Sequence, residues 1–319
     1  MKIAITGANG FVGSTMLTHF SQKGFEPVAI VRKAFFQNGI ITRVVDYSDT
    51  FSLTNALSDV DILIHNAGKT KSIGQEEMLS VNLGLTRKIV DVVNAQKHPI
   101  RLIYISSQAA GGPSSREHPM QETDAPRPIS IYGKSKAMAE SLIQKQCNKT
   151  WSIVRPCSVY GPGDRDFLSL FKLSKLGFQM QIGKQERSLN MIHVSQLAEF
   201  ILHLIGNPQV KNEIFYATDN QVYTQSEIAA HIAAIAGKSI HKLVIPSWAA
   251  QIAFGLGQIV SRMRSEPSAM NLDKYNEIIA EGWVANPEKA KNLLGWDPPA
   301  RLPELIKETY KWYCENSWL

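Results

Sequence analysis

The segment ITGANGFVG near the start of the chain most constrains what this sequence can fold into. It places Gly7, Gly10 and Gly13 directly after a short strand pattern and at the start of a helical pattern. Glycine allows a tight turn and a close approach of the backbone to a pyrophosphate, and the N-terminus of the following helix offers free N–H groups. This context is the one that a dinucleotide-binding loop requires, although the spacing is GxxGxxG rather than GxGxxG. A plain glycine-rich turn is the alternative.

The first half of the chain alternates short β-rich runs with helical patterns. Several of the strands are nearly continuous apolar runs, which is expected when both faces of a parallel sheet are buried. Alternating βα units predict an α/β fold with a Rossmann-type, doubly wound parallel sheet. Around residues 160–163 this rhythm gives way to mixed segments. The predicted strands are 2–6, 27–31, 41–45, 61–65, 100–106, 151–155, 188–194 and 213–217, and the predicted helices include 11–23, 78–96, 132–146 and 225–236.

The end of the second strand, VAIVRK, bears on which dinucleotide binds. An acidic residue there would hydrogen-bond the ribose hydroxyls of NAD, whereas this chain has Arg32 and Lys33. Two cations suit the additional 2′-phosphate of NADP, so the sequence favours NADP, with NAD as the alternative. Two solvated surface charges would give the same pattern. After the third strand, Asp46, which Tyr47 follows, would either accept a hydrogen bond from the adenine amino group or cap the strand end.

The net charge of +6 raises the question of a nucleic-acid partner. The lysines and arginines are dispersed, so we expect no nucleic acid, and a mildly positive field also suits a phosphate-bearing cofactor. The three cysteines, Cys147, Cys157 and Cys314, form no CxxC pair, which fits a reducing compartment and predicts no metal site. The N-terminal residues lack the long apolar core of a signal peptide, so we expect a cytoplasmic location.

The segment that comes nearest to a membrane span is WAAQIAFGLGQIVSRM, residues 248–263. Gln251 and Gln258 interrupt it and Pro246 precedes it, so we expect no transmembrane helix. A helix packed on the core or over a substrate is the leading expectation. A helix that lies in a membrane interface is the alternative.

Several segments together resemble the extended short-chain dehydrogenase/reductase superfamily, which includes the NAD-dependent epimerase/dehydratase family. TGANGFVG is similar to its cofactor loop, and DILIHNAGKT is similar to the segment after the fourth strand that lines the cofactor. LIYISSQAAGG is similar to the strand that bears the active serine, and YGKSK to the Tyr-x-x-x-Lys signature. The remaining matches are VNLGLTRKIVDVV, IVRPCSVYGPGD, MIHVSQLAEFI and LLGWDPPARLPELIKETYKWY. The resemblance covers nearly the whole chain, and its combined order and spacing are more specific than any single segment.

The resemblance implies a catalytic set of Ser107, Tyr132 and Lys136, supported by Asn82. Tyr132 would be the general acid or base, Lys136 would lower its pKa and hold the nicotinamide ribose, and Ser107 would hydrogen-bond the reacting oxygen. Asn82 would support the lysine through water. Ser106 competes with Ser107, and the family register favours Ser107. The implied cofactor residues are Gly7, Asn9, Gly10, Phe11, Val12, Gly13, Asn66, Ala67, Gly68, Tyr132, Lys136, Pro156 and Val159, beside Arg32, Lys33, Asp46 and Tyr47.

Three departures from the nucleotide-sugar branches bear on the substrate. Gln108 and Ala109 stand where dehydratases carry an acidic pair, Ser158 where epimerases often have asparagine, and Leu189 where they often have arginine. With the apolar 248–263 segment, these favour the branch of dihydroflavonol reductases and 3β-hydroxysteroid dehydrogenases. The leading prediction is therefore NAD(P)-dependent hydride transfer to or from a carbonyl or secondary alcohol of a fairly apolar molecule. The alternative is a nucleotide-sugar epimerase or dehydratase, and the lesser one a non-catalytic dinucleotide-binding regulator.

The resemblance also implies two structural units and a homodimer. Residues 1–165 would form the Rossmann domain, with residues 188–222 returning to it. Residues 166–187 and 223–319 would form a smaller, mixed C-terminal substrate-binding lobe. The dimer would form through the helix after Asn82 and the helix that carries Tyr132.

Overall fold

The computed structural model describes residues 1–35, 37, 39–268 and 270–319. Its strands are β1 (Ile3–Thr6), β2 (Val28–Val31), β3 (Ile41–Val44), β4 (Ile62–His65), β5 (Arg101–Ile105), β6 (Trp151–Pro156), β7 (Ser158–Tyr160), β8 (Phe178–Ile182), β9 (Ser188–His193), β10 (Glu213–Ala217), β11 (Val222–Thr224), β12 (His241–Ile245) and β13 (Gly282–Trp283). Its helices are α1 (Phe11–Gln22), α2 (Thr50–Ala56), α3 (Gln75–Leu79), α4 (Leu85–Ala95), α5 (Gln108–Gly111), α6 (Ile131–Gln146), α7 (Leu168–Lys175), α8 (Val194–Gly206), α9 (Gln225–Ile235), α10 (Ser247–Arg264), α11 (Leu272–Ile279), α12 (Glu288–Leu294) and α13 (Leu302–Glu315). A π-helical turn, Ser80–Gly84, connects α3 to α4.

Seven parallel strands form the main sheet, in the order β10-β6-β5-β4-β1-β2-β3. β1, β2, β4, β5 and β6 are buried along their whole length, which explains their nearly continuous apolar sequences. Helices α1 and α8 cover one face of the sheet, and α2, α4 and α6 cover the other. The predicted Rossmann-type α/β fold is therefore confirmed.

The direction of strand order reverses beside β1. From β1 the chain runs outward through β2 and β3, and it then crosses to β4 on the other side of β1. In open α/β sheets, ligands bind in the crevice outside the carboxyl ends of the strands at such a switch point. The glycine loop follows β1 directly. It therefore lies at the carboxyl end of the strand beside which this crevice forms.

The segment 188–222 returns to the main sheet only in part. β10 pairs in parallel with β6, and α8 packs against α1. β9 instead belongs to a separate small sheet, in which it pairs with β7, β11 and β13. The reason is that β10 already occupies the open edge of β6, so β9 pairs with β7, which follows the carboxyl end of β6.

The C-terminal residues divide between two cores. Leu294 and Trp296 pack into the main core with α8, and Trp296 Nε1 donates to the Thr218 carbonyl at 2.7 Å. Helices α7, α9 and α13 share a separate core around Phe171. The segment from 223 onward therefore contains one helix, α12, that packs with the Rossmann core.

Helix α10 contains the apolar 248–263 segment. Of its residues only Ala250 is buried, so the expected packing of this helix on the core is not found. The reason is that its one packed side rests on the neighbouring helix α11 rather than on a core cluster. Among the described residues, no helix is both long enough and apolar enough to cross a membrane.

Candidate functional site

The glycine loop has the backbone geometry of a phosphate-binding turn. Gly7 has a φ of +65°, a left-handed conformation that favours glycine, and a Cβ there would lie 2.8 Å from the Ala67 Cα atom. Gly10 is the N-cap of α1 and supplies no side-chain cap, so the first N–H groups of the helix stay available for a ligand. A diphosphate fits such a helix N-terminus. Of the other predicted loop residues, Asn9 is exposed, Phe11 and Val12 are half-buried, and Gly13 is buried against Ala8.

The end of β4 is hydrogen-bonded to the glycine loop. The Thr6 hydroxyl accepts hydrogen bonds from the backbone N–H groups of Asn66 and Ala67, both at 3.1 Å. The Asn66 side chain donates to the carbonyl of the first loop glycine at 3.3 Å. Gly68 follows, and a Cβ there would lie 3.6 Å from Lys136 Nζ. Residues 66–68 therefore connect the glycine loop to the predicted catalytic lysine.

His65, the last residue of β4, extends this network into the sheet. Its buried ring lies between Thr6 Oγ1, at 2.9 Å from Nδ1, and Thr86 Oγ1, at 3.1 Å from Nε2. Because the Thr6 hydroxyl already accepts two N–H groups, it donates to Nδ1, and Nε2–H then donates to Thr86, which donates to the Asn82 carbonyl. Burial lowers the pKa of His65 to about 3, with a smaller contribution from the Lys136 charge, so the ring stays neutral. Sequence reasoning missed this residue, although a polar ring that ends the strand ILIH was a visible signal.

The two cations after β2 lie at the carboxyl edge of the sheet. Arg32 and Lys33 are both exposed, at the carboxyl end of β2. Neither side chain makes a hydrogen bond or an ion pair with another residue in the part of the chain that the structure describes. Within those residues, no carboxylate pairs with either charge.

Asp46 and Tyr47 make internal contacts in this structure. Asp46 accepts hydrogen bonds from the N–H and the hydroxyl of Ser48, both at 2.7 Å, and these bonds lower its pKa. These two bonds match the capping role that the sequence left open for Asp46, and its contact with adenine stays a prediction. The Tyr47 hydroxyl donates to the Ile30 carbonyl at 3.1 Å, and its ring packs against the core.

Two neighbouring serines after β5 have different surroundings. Ser106 is buried, and its hydroxyl donates to the Glu140 carboxylate. Ser107 is half-buried and is the N-cap of α5, where its hydroxyl accepts from the Ala109 N–H at 3.2 Å. The Ser107 hydroxyl is also close enough to Tyr132 to lower the pKa of its phenol. The structure therefore brings Ser107 to the tyrosine and assigns Ser106 to an internal contact.

Tyr132 and Lys136 lie one turn apart on α6, whose N-cap Ser130 accepts from the Gly133 N–H at 3.1 Å. The Lys136 ammonium is buried, donates to the Ile105 carbonyl at 2.8 Å and lies 4.7 Å from the centre of the Tyr104 ring. Burial lowers the pKa of Lys136 to about 8, against the opposing charge of Glu140. The lysine is thus held at the end of β5, beside the segment that follows β4.

The expected lowering of the Tyr132 pKa by Lys136 is not found. Burial raises the pKa of the phenol to about 12, and the charges of Glu277 and Asp166 add to the rise, while Ser107 opposes it. The reason is that the lysine ammonium is bound to a backbone carbonyl of β5 instead of the phenol. Near neutral pH the phenol is therefore protonated, which is the form of a general acid.

Asn82 lies in the π-helical turn and is buried. Its side-chain amide donates to the Lys69 carbonyl and to Ser135 Oγ, both at 2.9 Å, and its oxygen accepts from the Lys69 N–H at 2.8 Å. In the described residues it makes no direct hydrogen bond to Lys136. It is bonded instead to Ser135, which precedes that lysine on α6. Asn82 is therefore a positioning residue in this structure, and π-helical turns often occur at functional sites.

Pro156 and Val159 lie beyond the catalytic helix, at the carboxyl end of the main sheet. Pro156 is the last residue of β6 and is buried. Val159 lies in β7, is half-buried and packs against the main core. Both therefore lie at the edge of the sheet where the glycine loop, Ser107 and Tyr132 are found.

A buried ion pair lies between α6 and the main sheet, next to the candidate site. Arg155 and Glu140 are only 1% and 2% exposed, and their closest nitrogen and oxygen atoms are 2.7 Å apart. Arg155 also donates to the Tyr216 hydroxyl at 3.0 Å, and Glu140 accepts from Ser106. The pair joins α6, which carries Tyr132, to β6 and β10 of the sheet.

Helix α11 reaches the site from the C-terminal region. Asp273 accepts a hydrogen bond from the backbone N–H of Ile131, the first residue of α6, at 2.8 Å. Glu277, one turn further along α11, is near enough for its charge to raise the pKa of Tyr132. The C-terminal region therefore contacts the start of the catalytic helix.

Comparison with known proteins places this geometry in a family. The model of the NAD dependent epimerase/dehydratase family matches residues 3–217, more than half of the 319-residue chain. UDP-glucose 4-epimerase of Vibrio cholerae is 26% identical over 324 residues, which cover 97% of this chain and 94% of that protein. Ceramide reductase of Caulobacter vibrioides is 26% identical over 322 residues, which cover 99% of this chain and 96% of that protein.

A third relative and a solved structure extend the comparison. The N-acetyl-α-D-glucosaminyl-diphospho-ditrans,octacis-undecaprenol 4-epimerase of Escherichia coli O157:H7 is 25% identical over 255 residues, which cover 77% of this chain and 75% of that protein. The structure of Thermus thermophilus UDP-glucose 4-epimerase in complex with NAD has a TM-score of 0.75 at 20% identity, and the match covers 98% of this chain and 99% of that chain. At this identity the structural likeness shows the fold alone.

Proposed function

The chain belongs to the NAD dependent epimerase/dehydratase family and is an NAD-dependent enzyme of that family, and we propose that it is a 4-epimerase of a hexose carried on a diphosphate. One observation carries the proposal: a complete set of Ser107, Tyr132 and Lys136 at the carboxyl edge of the sheet, in a chain that a UDP-glucose 4-epimerase matches over 97% of its length. This function was the alternative that the sequence suggested, and it now takes precedence over a dehydrogenase of an apolar substrate.

In this proposal each catalytic side chain has a defined task. The glycine loop and Lys136 would hold NAD, which would supply reversible hydride transfer at the carbon that bears the reacting hydroxyl. Tyr132 takes the hydroxyl proton at its phenolic oxygen during oxidation and gives the same proton back during reduction. Ser107 donates a hydrogen bond to the reacting oxygen, and Lys136, whose ammonium is bound to the Ile105 carbonyl, would hold the nicotinamide ribose.

We further propose that Arg32 and Lys33 allow NADP to bind as well as NAD. Titration of the purified protein with NADPH and NADH, followed by fluorescence at fixed ionic strength, tests this. Arg32→Ala should weaken NADPH binding by about tenfold, because a charge-assisted hydrogen bond to phosphate is worth roughly 1.5–3 kcal/mol. NADH binding should change far less.

Lys211→Ala is the matched control for this titration. Lys211 is also exposed, but it precedes β10, at the amino edge of the same sheet. Equal binding of the two cofactors, unchanged by Arg32→Ala, would show that these cations do not recognise the phosphate.

A second function, reduction of a long-chain ketone, has specific support. A ceramide reductase matches 99% of the chain at 26% identity, about as well as the epimerase. Leu189 occupies the place where nucleotide-sugar epimerases often have arginine, and the C-terminal region exposes Trp248 and other apolar side chains. The two functions use the same catalytic set. They differ in whether the cofactor is regenerated within the site, as in an epimerase, or consumed, as in a reductase.

The decisive experiment supplies both kinds of substrate to the purified enzyme. UDP-glucose, UDP-N-acetylglucosamine and the undecaprenyl diphosphate-linked N-acetylglucosamine are incubated with NAD, and the products are separated by chromatography. A 4-epimerase converts one of them to its epimer with no net change in reduced nicotinamide. Lys136→Met should abolish this conversion, whereas Lys134→Met, an exposed lysine on the same helix, should retain it.

Two other outcomes contradict the epimerase proposal. Stoichiometric consumption of NADH or NADPH with a long-chain ketone, without any epimer, supports the reductase. Cofactor binding without either reaction indicates the dinucleotide-binding regulator.

A further inference from the structure

Helix α10 exposes a continuous apolar stripe. Trp248, Ile252, Leu256, Ile259 and Met263 form what we call the outer face of α10. Trp248 is 68% exposed and Met263 is 80% exposed, and the three residues between them are each more than half exposed. Their spacing of four, four, three and four residues places them on one side of a helix. In the described residues no other element covers this side.

Helix α10 packs against the rest of the protein through its opposite side. Ala250 is buried, and the Phe254 ring lies 6.0 Å from the Tyr275 ring of α11. A Cβ at Gly257 would lie 2.7 Å from the Met270 Cβ, so the helix backbone approaches that segment closely. The outer face is therefore not required to hold α10 in place, and its apolar character needs another explanation.

The neighbouring strands continue the apolar surface. β8 and β12 form a two-stranded parallel sheet in which Met180 pairs with Leu243. Phe178, Met180 and Leu243 are all exposed, and Pro246 leads directly from β12 into α10. Exposed apolar residues are thus concentrated in this lobe, on adjoining elements.

Helix α10 and the segment that precedes it carry basic residues and no acidic ones. No acidic residue lies between Glu227 and Glu266, whereas Lys238, Lys242, Arg262 and Arg264 do. Arg262 and Arg264 are exposed, and their helical positions lie on either side of the Met263 end of the stripe. Long basic side chains in such positions extend toward lipid headgroups while their neighbours enter the acyl region.

We propose that the outer face of α10 lies in the interface of an anionic phospholipid bilayer. An apolar stripe with Trp248 at one end and two arginines at the other, on a helix that contains no carboxylate, has the composition of an interfacial helix. A second copy of the chain fits less well, because a two-fold contact would bring the same basic rims together. The inference goes beyond the proposed function and does not depend on it.

The position of this surface connects the bilayer with the catalytic helix. α10 packs on α11, and Asp273 of α11 accepts the hydrogen bond from Ile131 at the start of α6. Two successive helix contacts therefore connect the outer face to the helix that carries Tyr132.

Sedimentation with vesicles tests the proposal on the full-length protein. One set of vesicles contains equal parts of phosphatidylcholine and phosphatidylglycerol, and the other contains phosphatidylcholine alone. We expect binding to the anionic vesicles and at least about tenfold weaker binding of Leu256→Glu/Ile259→Glu, because two buried apolar side chains are lost from the interface. Arg262→Gln/Arg264→Gln should weaken binding to anionic vesicles by about tenfold or more.

The controls distinguish binding through the outer face from nonspecific binding by any exposed apolar residue and from an effect of unfolding. Phe51→Glu changes an equally exposed apolar residue, 72% exposed on α2, and should bind vesicles like the wild type. All variants should retain NAD binding, because their side chains are exposed. Lipids brominated in the acyl chains should quench the fluorescence of Trp248, and Trp248→Phe should lose that quenching.

Two results would overturn the proposal. The first is wild-type protein that sediments with neither kind of vesicle. The second is a change in oligomer mass caused by Leu256→Glu/Ile259→Glu with vesicle binding unaffected, which would identify the outer face as a contact between copies of the chain.

Discussion

Tyr132→Phe is expected to lower kcat for the epimerisation by about 10²–10⁴-fold, because the variant keeps the ring and loses the only atom that moves the proton. The ring itself packs as before, so NAD binding should change far less than kcat. Burial raises the pKa of Tyr132 to about 12, so the reactive phenolate is a minor species near neutral pH. In the direction of oxidation, kcat of the wild type should therefore rise with pH below that value, and the variant should lose this dependence.

The matched control for this substitution is Tyr310→Phe, on α13 and far along the chain from the catalytic helix. It removes a phenolic hydroxyl without touching the proposed proton path, and its kcat and pH profile should match those of the wild type. Steady-state rates over a range of pH and equilibrium binding of NAD supply the two readouts. Unchanged turnover in Tyr132→Phe would remove the tyrosine from the chemistry, and with it the proposed mechanism.

The main sheet was predictable because its burial determines its sequence. A strand that is buried on both faces has to be apolar at nearly every position, and VAIV in β2 and ILIH in β4 show this directly. The glycine loop was predictable for a similar reason, since Gly7 has a positive φ and no space for a Cβ beside Ala67. In both cases the physical requirement, burial for the strands and the absence of a side chain for the glycine, determines the residue type at that position directly.

The C-terminal region was less predictable because its elements depend on distant partners. β8 reads FQMQI, and its only strand partner in the described part of the chain is β12, which comes much later in the sequence. β9 has a normal strand pattern, but which sheet it joins is decided by β10, which already occupies the edge of β6. A local sequence pattern does not show which of two strands will pair with a given edge of the sheet.

The catalytic side chains could be located from their motifs, but their electrostatics could not. The spacing of Tyr132 and Lys136 gives one helix face, yet the lysine ammonium is bound to the Ile105 carbonyl, a backbone group of another element. The pKa values follow from burial and from the charges of other residues such as Glu140 and Glu277, neither of which is visible in the spacing. The same holds for Arg155 and Glu140, whose contact across α6 and β6 has no signature in the sequence.

That buried pair supports the second large prediction, which concerns stability. Glu140→Leu should lower the free energy of unfolding by about 3–5 kcal/mol, because it leaves the Arg155 guanidinium buried without its counter-charge. Glu315→Ala is the control, since it breaks the exposed Lys311–Glu315 pair on α13 and should cost no more than about 1 kcal/mol. Urea unfolding followed by circular dichroism measures all variants.

The double variant Glu140→Leu/Arg155→Met distinguishes a charge effect from a packing effect. When both charges are absent, no uncompensated ion remains buried, so the double variant should recover a large part of the stability that Glu140→Leu loses. Recovery should not extend to catalysis, because Glu140 also accepts the Ser106 hydrogen bond and its charge opposes the lowering of the Lys136 pKa. Without Glu140 the pKa of Lys136 should fall below about 8, so that less of the lysine is charged near neutral pH. A double variant as unstable as Glu140→Leu alone would instead show that the shape of the pair, and not its charge, holds α6 against the sheet.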